Sequence, residues 1–255
     1  MKILLVTQNE PFYLAKNLDW LLSKLSHERI DVVGCVCANP SVFGKKISFF
    51  DKIIQTYKVF GFRFFAYYTF RYLYSKCFYE SVSDVLKKWS VPLIDLSNSI
   101  NHPESLKCIA SYQPELIVSI LGNEIFKKPF IDLAKEGVIN LHTALLPKYR
   151  GLMPTFWVLK NKEKYTGVSV FYVDEGIDSG DIILQEKVEI LENESQKSLI
   201  ARTKAIGMSL IVEAIVRIQE GTVVRQSNPD EQMTYYTFPT KKDVREFFQA
   251  GNRFF

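Results

Sequence analysis

The chain has 255 residues, 47% hydrophobic and 24% charged, with a formal net charge of +4. That length suits one generous domain, or a domain with a modest extension, and the composition excludes a disordered or fibrous chain. The positive balance is mild and no basic stripe accompanies it, so a nucleic-acid partner is not expected.

Residues 2–7 form a short apolar run, bounded by the polar, proline-containing stretch 8–11, and read as a buried strand. The run is too short for a signal peptide, and no apolar stretch is long enough to span a bilayer. A cytoplasmic protein without stable membrane insertion is expected. Leu14, Leu18, Leu21, Leu22 and Leu25 then recur at helical spacing. Residues 30–37 are a second β-branched run, closed by Asn39 and Pro40. Over 45–79 the alternation breaks into a dense aromatic stretch with Arg63, Arg71 and Lys76 interspersed. It reads as an inserted helical pair whose aromatics pack on the sheet or on a second subunit, with a membrane-surface helix or a nucleotide-stacking lip as the alternatives, and a homodimer is the default expectation. Residues 91–96 and 116–121 look like further strands, with a helical stretch near 105–111. Two more strand-like runs, 168–173 and 182–190, precede a long amphipathic helix over 195–220 that Gly221 stops. The tail holds a turn at Phe238-Pro239-Thr240, a short charged helix and a terminal Arg253-Phe254-Phe255. Strands alternating with helices imply an α/β fold with a mostly parallel sheet, flanking helices and a small C-terminal extension. The expected division is a catalytic domain over 1–190 and an extension with tail over 191–255.

Cys35, Cys37, Cys77 and Cys108 match neither a zinc site nor a redox pair and read as buried thiols. With His27, His102 and His142 the only histidines, no metal site is expected.

The densest chemistry lies in 137–181. Asn140 and His142 are i,i+2 on a strand, so both side chains project from one face, at the end where ligands bind in parallel sheets. Leu145-Leu146-Pro147-Lys148-Tyr149-Arg150-Gly151 follows as a loop. Asp174-Glu175-Gly176-Ile177-Asp178-Ser179-Gly180-Asp181 reads as a tight acidic loop. An amide, an imidazole and a carboxylate suit acyl transfer. The amide donates to a carbonyl oxygen as it gains charge, and the other two manage the protons of the attacking and departing nitrogens. Spacing alone locates a site without naming its reaction.

The run from Asn140 to Gly151 resembles the signature of folate-dependent formyltransferases: Asn, any residue, His, then a Leu-Leu-Pro loop ending near Gly. The stretch Gly176-Ile177-Asp178-Ser179-Gly180-Asp181-Ile182 is similar to the family's second motif, with the family's Asp falling on Asp178. The family includes glycinamide ribonucleotide, methionyl-tRNA and nucleotide-sugar N-formyltransferases. The resemblance implies a catalytic trio of Asn140, His142 and Asp178 in a Rossmann-like domain that holds 10-formyltetrahydrofolate. It also implies a pterin pocket lined by Gly122, Asn123, Glu124, Ile125 and Phe126, largely through backbone groups. Val173, Asp174, Glu175 and Ile177 would form the opposing wall. The chain departs from the common pattern at Thr143-Ala144, where Pro or Gly and Ser are frequent. It also lacks the glycine-rich first loop that grips a ribosyl phosphate, which disfavours a glycinamide ribonucleotide acceptor.

The N-terminal stretch, the aromatic insertion and the tail resemble formyltransferase-like proteins of bacterial surface-polysaccharide synthesis. A nucleotide-linked amino sugar is therefore the expected small-molecule acceptor, with Lys148, Arg150 and Trp157 as candidate contacts. Methionyl-tRNA formyltransferase activity and hydrolysis of formyltetrahydrofolate are the alternatives.

Overall fold

The computed structural model describes residues 1–38, 49–122 and 124–255. Asn39, Pro40, the first residues of the expected insertion (45–48) and Asn123 lie outside them. The chain opens with β1 (Lys2–Gln8), α1 (Leu14–His27) and β2 (Asp31–Ala38), then the helical pair α2 (Phe49–Phe60) and α3 (Phe62–Phe78). There follow α4 (Val82–Lys88), β3 (Leu93–Ile94), α5 (Pro103–Ala110), β4 (Leu116–Ile120), α6 (Lys128–Ile131) and β5 (Val138–His142). A third stretch comprises β6 (Arg150–Gly151), α7 (Pro154–Lys160), β7 (Tyr165–Tyr172), β8 (Ile182–Glu189) and α8 (Gln196–Glu220). The tail adds β9 (Tyr235–Tyr236) and α9 (Lys241–Gln249).

One seven-stranded sheet runs in the order β3-β2-β1-β4-β5-β7-β8. The first five strands pair in parallel, and β7 and β8 add antiparallel pairings at one edge. Side chains alternate across the pleat. Ile3 and Leu5 of β1 thus join one core cluster with Leu14, Leu18, Leu21 and Leu25 of α1 and Met208, Ile211 and Ile215 of α8. Leu4 and Val6 join a second cluster on the other face, with Ile109 of α5 and Phe130 of α6. Each fully buried leucine of these layers contributes roughly 1.5–3 kcal/mol of transfer free energy. The order reverses direction at β1, whose neighbours are β2 and β4, and that switch point opens a crevice beyond the strands' carboxyl ends.

The long helix begins where expected, with the Ser195 side chain accepting from Ser198 N at 3.2 Å. It ends at Gly221, whose φ of 67° is the left-handed conformation of a helix stop. The expected strand over 91–96 shrinks to two residues, because Pro92 has no N–H to give to a ladder and β3 is a sheet edge. The aromatic insertion is a helical pair, and among the described residues its inward rings meet the tail where the sheet was expected. Phe60, Phe64 and Tyr67 meet Phe238, Phe254 and Phe255 of the tail, with Phe60 and Phe254 centroids 5.6 Å apart and Tyr67 stacked on Phe255 at 4.0 Å. Phe60, Phe64, Phe238 and Phe254 join Phe156 and Phe247 in a third core. The cysteine expectation also changes. Burial pushes the Cys35 thiol far up and the Cys37 thiol to about 11, whereas Cys77 is exposed on α3.

Candidate active site

Asn140 and His142 lie on β5, Asn140 paired with Ser119 and Phe171, His142 with Ser169. Both line a cleft of about 530 Å³ at the switch point, together with Gln8 at the end of β1 and Ile120 at the end of β4. The buried side-chain Oδ1 of Asn140 lacks any hydrogen-bond partner. A buried amide left unmatched carries a free-energy penalty that a ligand removes.

His142 is 7% exposed, and its Nε2 stands 2.7 Å from the carbonyl oxygen of Tyr149. A carbonyl only accepts, so the proton sits on Nε2, and the neutral ring carries its lone pair on Nδ1. Nδ1 faces Asp178 Oδ2 at 3.6 Å. The imidazole therefore offers a proton-accepting atom beside a carboxylate that stabilises the ring once it is charged.

Asp178 is fixed by its surroundings. Its Oδ2 accepts from the Gly151 N–H at 2.8 Å, and its backbone holds a left-handed φ of 49°. Asn228, from the tail, donates to the carbonyls of Asp178 and Gly180 at 2.9 and 3.0 Å. Two glycines of this site permit contacts that a side chain would block. A Cβ on Gly151, whose φ is 96°, would lie 2.2 Å from Tyr236 O, and one on Gly180 would lie 1.8 Å from Tyr172 O.

The cleft has two wings. One is walled by Gly122, Ile125 and Phe126 facing Val173, Asp174 and Ile177. There Glu124 turns its carboxylate onto Ser99 Oγ and the Ile100 N–H, and Asp174 accepts from Gly176 N and Ser179 Oγ. Glu175 is exposed and does not line the cleft, unlike its expected role in that wall. The other wing is formed by Glu10, Phe12, Tyr13, Phe64, Tyr68 and Lys204. Arg71 lies behind it, 4.6 Å from the Phe12 ring and 4.5 Å from that of Tyr13, and donates to the Tyr13 hydroxyl at 3.0 Å. Burial raises the pKa of Tyr13, and Arg71 partly opposes it.

The three acceptor candidates are not in the cleft lining. Arg150 is 3% exposed, and its guanidinium donates to Asp230 Oδ1 at 2.6 Å and to Asn228 O and Oδ1 at 2.9 and 3.0 Å, which ties the tail down. Trp157 donates from Nε1 to Thr237 O and stacks on Tyr236 at 4.7 Å. Lys148 is exposed on the loop after β5. The loop read from sequence alone also hides β6, which pairs in parallel with β9 of the tail.

Several site residues escaped the sequence reading. Asn228 and the Tyr149 carbonyl act through tertiary contact and leave no local pattern. Lys204 did leave one, since it interrupts the apolar stripe of α8 four residues after Ile200. The insertion supplies Phe64 and Tyr68 to the cleft, rings that the sequence offers only as the less favoured stacking lip, without naming positions.

The model of the family described as formyl transferase matches residues 77–215, more than half of the chain and the whole of the Asn140–Asp178 constellation. Methionyl-tRNA formyltransferase of Kosmotoga olearia is 32% identical over 175 residues, which are 68% of this chain and 56% of that protein. The chain spans about half the length of the curated relatives it matches. Among solved structures, glycinamide ribonucleotide transformylase 1 from Symbiobacterium toebii superimposes with a TM-score of 0.66, at 18% identity, over 89% of this chain and 92% of that one. The N-formyltransferase from Helicobacter canadensis, in complex with folinic acid and dTDP-3-aminofucose, does so at 0.60 and 16% identity, over 98% of this chain and 80% of that one. At those identities the likeness is one of fold.

Proposed function

Because the chain belongs to the formyl transferase family, we propose that it moves a formyl group from 10-formyltetrahydrofolate to the amine of a nucleotide-linked amino sugar. The observation that carries this reading is the unpartnered Asn140 Oδ1 in the same cleft as a histidine whose Nε2 is committed to a backbone carbonyl. In this reading residues 1–190 hold the catalytic domain, and 191–255 the extension and tail that brace it.

The residues present suit a flat heteroaromatic donor. Gly122, Ile125, Phe126, Val173 and Ile177 form an apolar slot, and the buried Ser119 Oγ and Asn140 Oδ1 at its edge both lack partners. When bound, 10-formyltetrahydrofolate supplies the activated one-carbon group. Asn140 donates its side-chain N–H to the carbonyl oxygen as charge builds there. His142 Nδ1 would take the proton that the attacking amine must lose and return it to the departing donor nitrogen as that nitrogen's bond to the formyl carbon breaks. Asp178 stabilises the resulting imidazolium and is itself held by Gly151 N and Asn228. No enzyme nucleophile is needed, because the amine attacks directly.

Two observations support the sugar acceptor. A structural neighbour carries dTDP-3-aminofucose, and the second wing of the cleft is aromatic, as a sugar-binding wall is. A second reading, transfer to methionyl-tRNA, is favoured by the names of the sequence relatives. The test is incubation with 10-formyltetrahydrofolate and a panel of dTDP- and UDP-linked amino sugars, with products followed by mass. A formylated sugar is expected. Activity confined to methionyl-tRNA would replace the acceptor, and formate released at a rate that no amine changes would make the protein a hydrolase.

A further inference from the structure

Lys204 projects from α8 into the aromatic wing of the cleft, its side chain 12% exposed. Among the described residues it is the one lysine or arginine lining the cleft. The carboxylates there are already committed to this chain's own donors. Asp178 takes Gly151 N, Asp174 takes Gly176 N, and Glu124 takes Ser99 Oγ. Glu10 accepts from the N–H groups of Phe12, Tyr13 and Leu14 at 3.0, 2.9 and 3.0 Å.

The ammonium is in the opposite condition. It has three donors to place. Its ion-pair partner is Glu10 Oε2 at 3.6 Å, too long for a good hydrogen bond, and it lies 4.9 Å from the Tyr13 ring centre. Burial lowers its pKa and Glu10 works against that shift. A counter-ion serving Glu10 alone would be redundant, since three backbone N–H groups hold that carboxylate at the start of α1. Glu10 also fills the N-terminus of α1, where an incoming anion would otherwise meet free N–H groups. The chain has thus closed one place for an anion and left a buried, under-coordinated cation beside it.

We infer that Lys204 is an oxyanion subsite for the acceptor, its ammonium taking a phosphate oxygen while the Tyr13, Phe64 and Tyr68 rings flank the acceptor's apolar surface. The inference rests on the proposed acceptor class and assigns a residue to its recognition. An ammonium is a compact point charge suited to phosphate oxygens, and out of bulk water such a charge-assisted hydrogen bond is strong.

The test is calorimetric titration of the full chain with inorganic pyrophosphate, UDP and dTDP, for the wild type, Lys204→Met, Lys204→Arg and Glu10→Gln. Lys204→Met should weaken these probes by about tenfold or more, with affinity for 5-formyltetrahydrofolate unchanged. Lys204→Arg should retain most of the affinity. Glu10→Gln, which removes the competing carboxylate, should not weaken it, and these two variants decide the matter if Lys204→Met fails to fold. Nucleotides bound equally by wild type and Lys204→Met would overturn the subsite and leave the acceptor reading standing. Lys204-dependent binding of pyrophosphate, with none of either nucleotide, would keep the subsite and overturn the nucleotide-linked acceptor. No binding of any probe, or an equal loss of folate affinity in Lys204→Met, would overturn the subsite.

Discussion

His142 gives its Nε2 proton to a backbone carbonyl, so its chemistry is confined to Nδ1. His142→Ala should lower kcat by about 10²–10⁴-fold, the usual worth of a positioned proton-transfer group. Asn140→Ala should lower it by about 10²–10³-fold, as loss of one oxyanion donor does. Steady-state formyl transfer checks both, and unchanged turnover in either would refute the roles assigned. Asn228 acts at one remove, through the carbonyls of Asp178 and Gly180. Asn228→Ala leaves those groups and Arg150 short of partners, at about 1–3 kcal/mol of stability. Because it loosens the Asp178 loop, kcat should fall more than the KM for the folate rises, whereas a purely structural loss would reduce only the amount of active protein. At this scale the sequence was informative about Asn140 and His142, whose i,i+2 spacing on a strand dictates a shared face. It was misleading for Arg150 and Trp157. Their types suit a nucleotide, but the tail reaches them first.

Among the elements, α3 and the tail depend on each other. Phe254 is 2% exposed, 4.8 Å from Phe64 and 4.7 Å from Phe247 by ring centroids. Phe254→Ala should cost about 3–5 kcal/mol in denaturant unfolding, the range for a buried phenylalanine. Since Phe64 also lines the cleft, the same variant should weaken acceptor binding even where the protein stays folded. The long helix was legible because its cap, apolar stripe and stop signal agree. The insertion was legible as helical but not in its partner, since aromatic density says that rings must be covered and not by what. β3 was overextended because an apolar run does not reveal that Pro92 and an edge position curtail its pairing.

In the whole molecule, thiol reactivity reports the packing. Cys35 is buried on β2 and the Cys37 thiol is pushed up to about 11, so neither carries much thiolate at pH 8. Iodoacetamide at that pH should label Cys77 first, as peptide mapping will show, and labelling of Cys37 at a comparable rate would contradict the placement of β2. The mostly parallel sheet, with a site beyond the carboxyl ends of its strands, followed from alternating element types, a rule that a single sequence carries well, whereas the strand order did not. The aromatic wing of the crevice did not follow, because it is assembled from residues 12, 13, 64, 68 and 204, far apart in the chain.

The guanidinium of Arg71 lies against the rings of Phe12, Tyr13 and Tyr68. It ties the first loop of the sheet to an insertion almost sixty positions downstream, its hydrogen bond to Tyr13 spanning 58 residues. The two segments therefore form a single heritable unit. A chimera that transplants the insertion into a relative must carry Phe12 and Tyr13 with it, and recombination between them would separate halves of one wall.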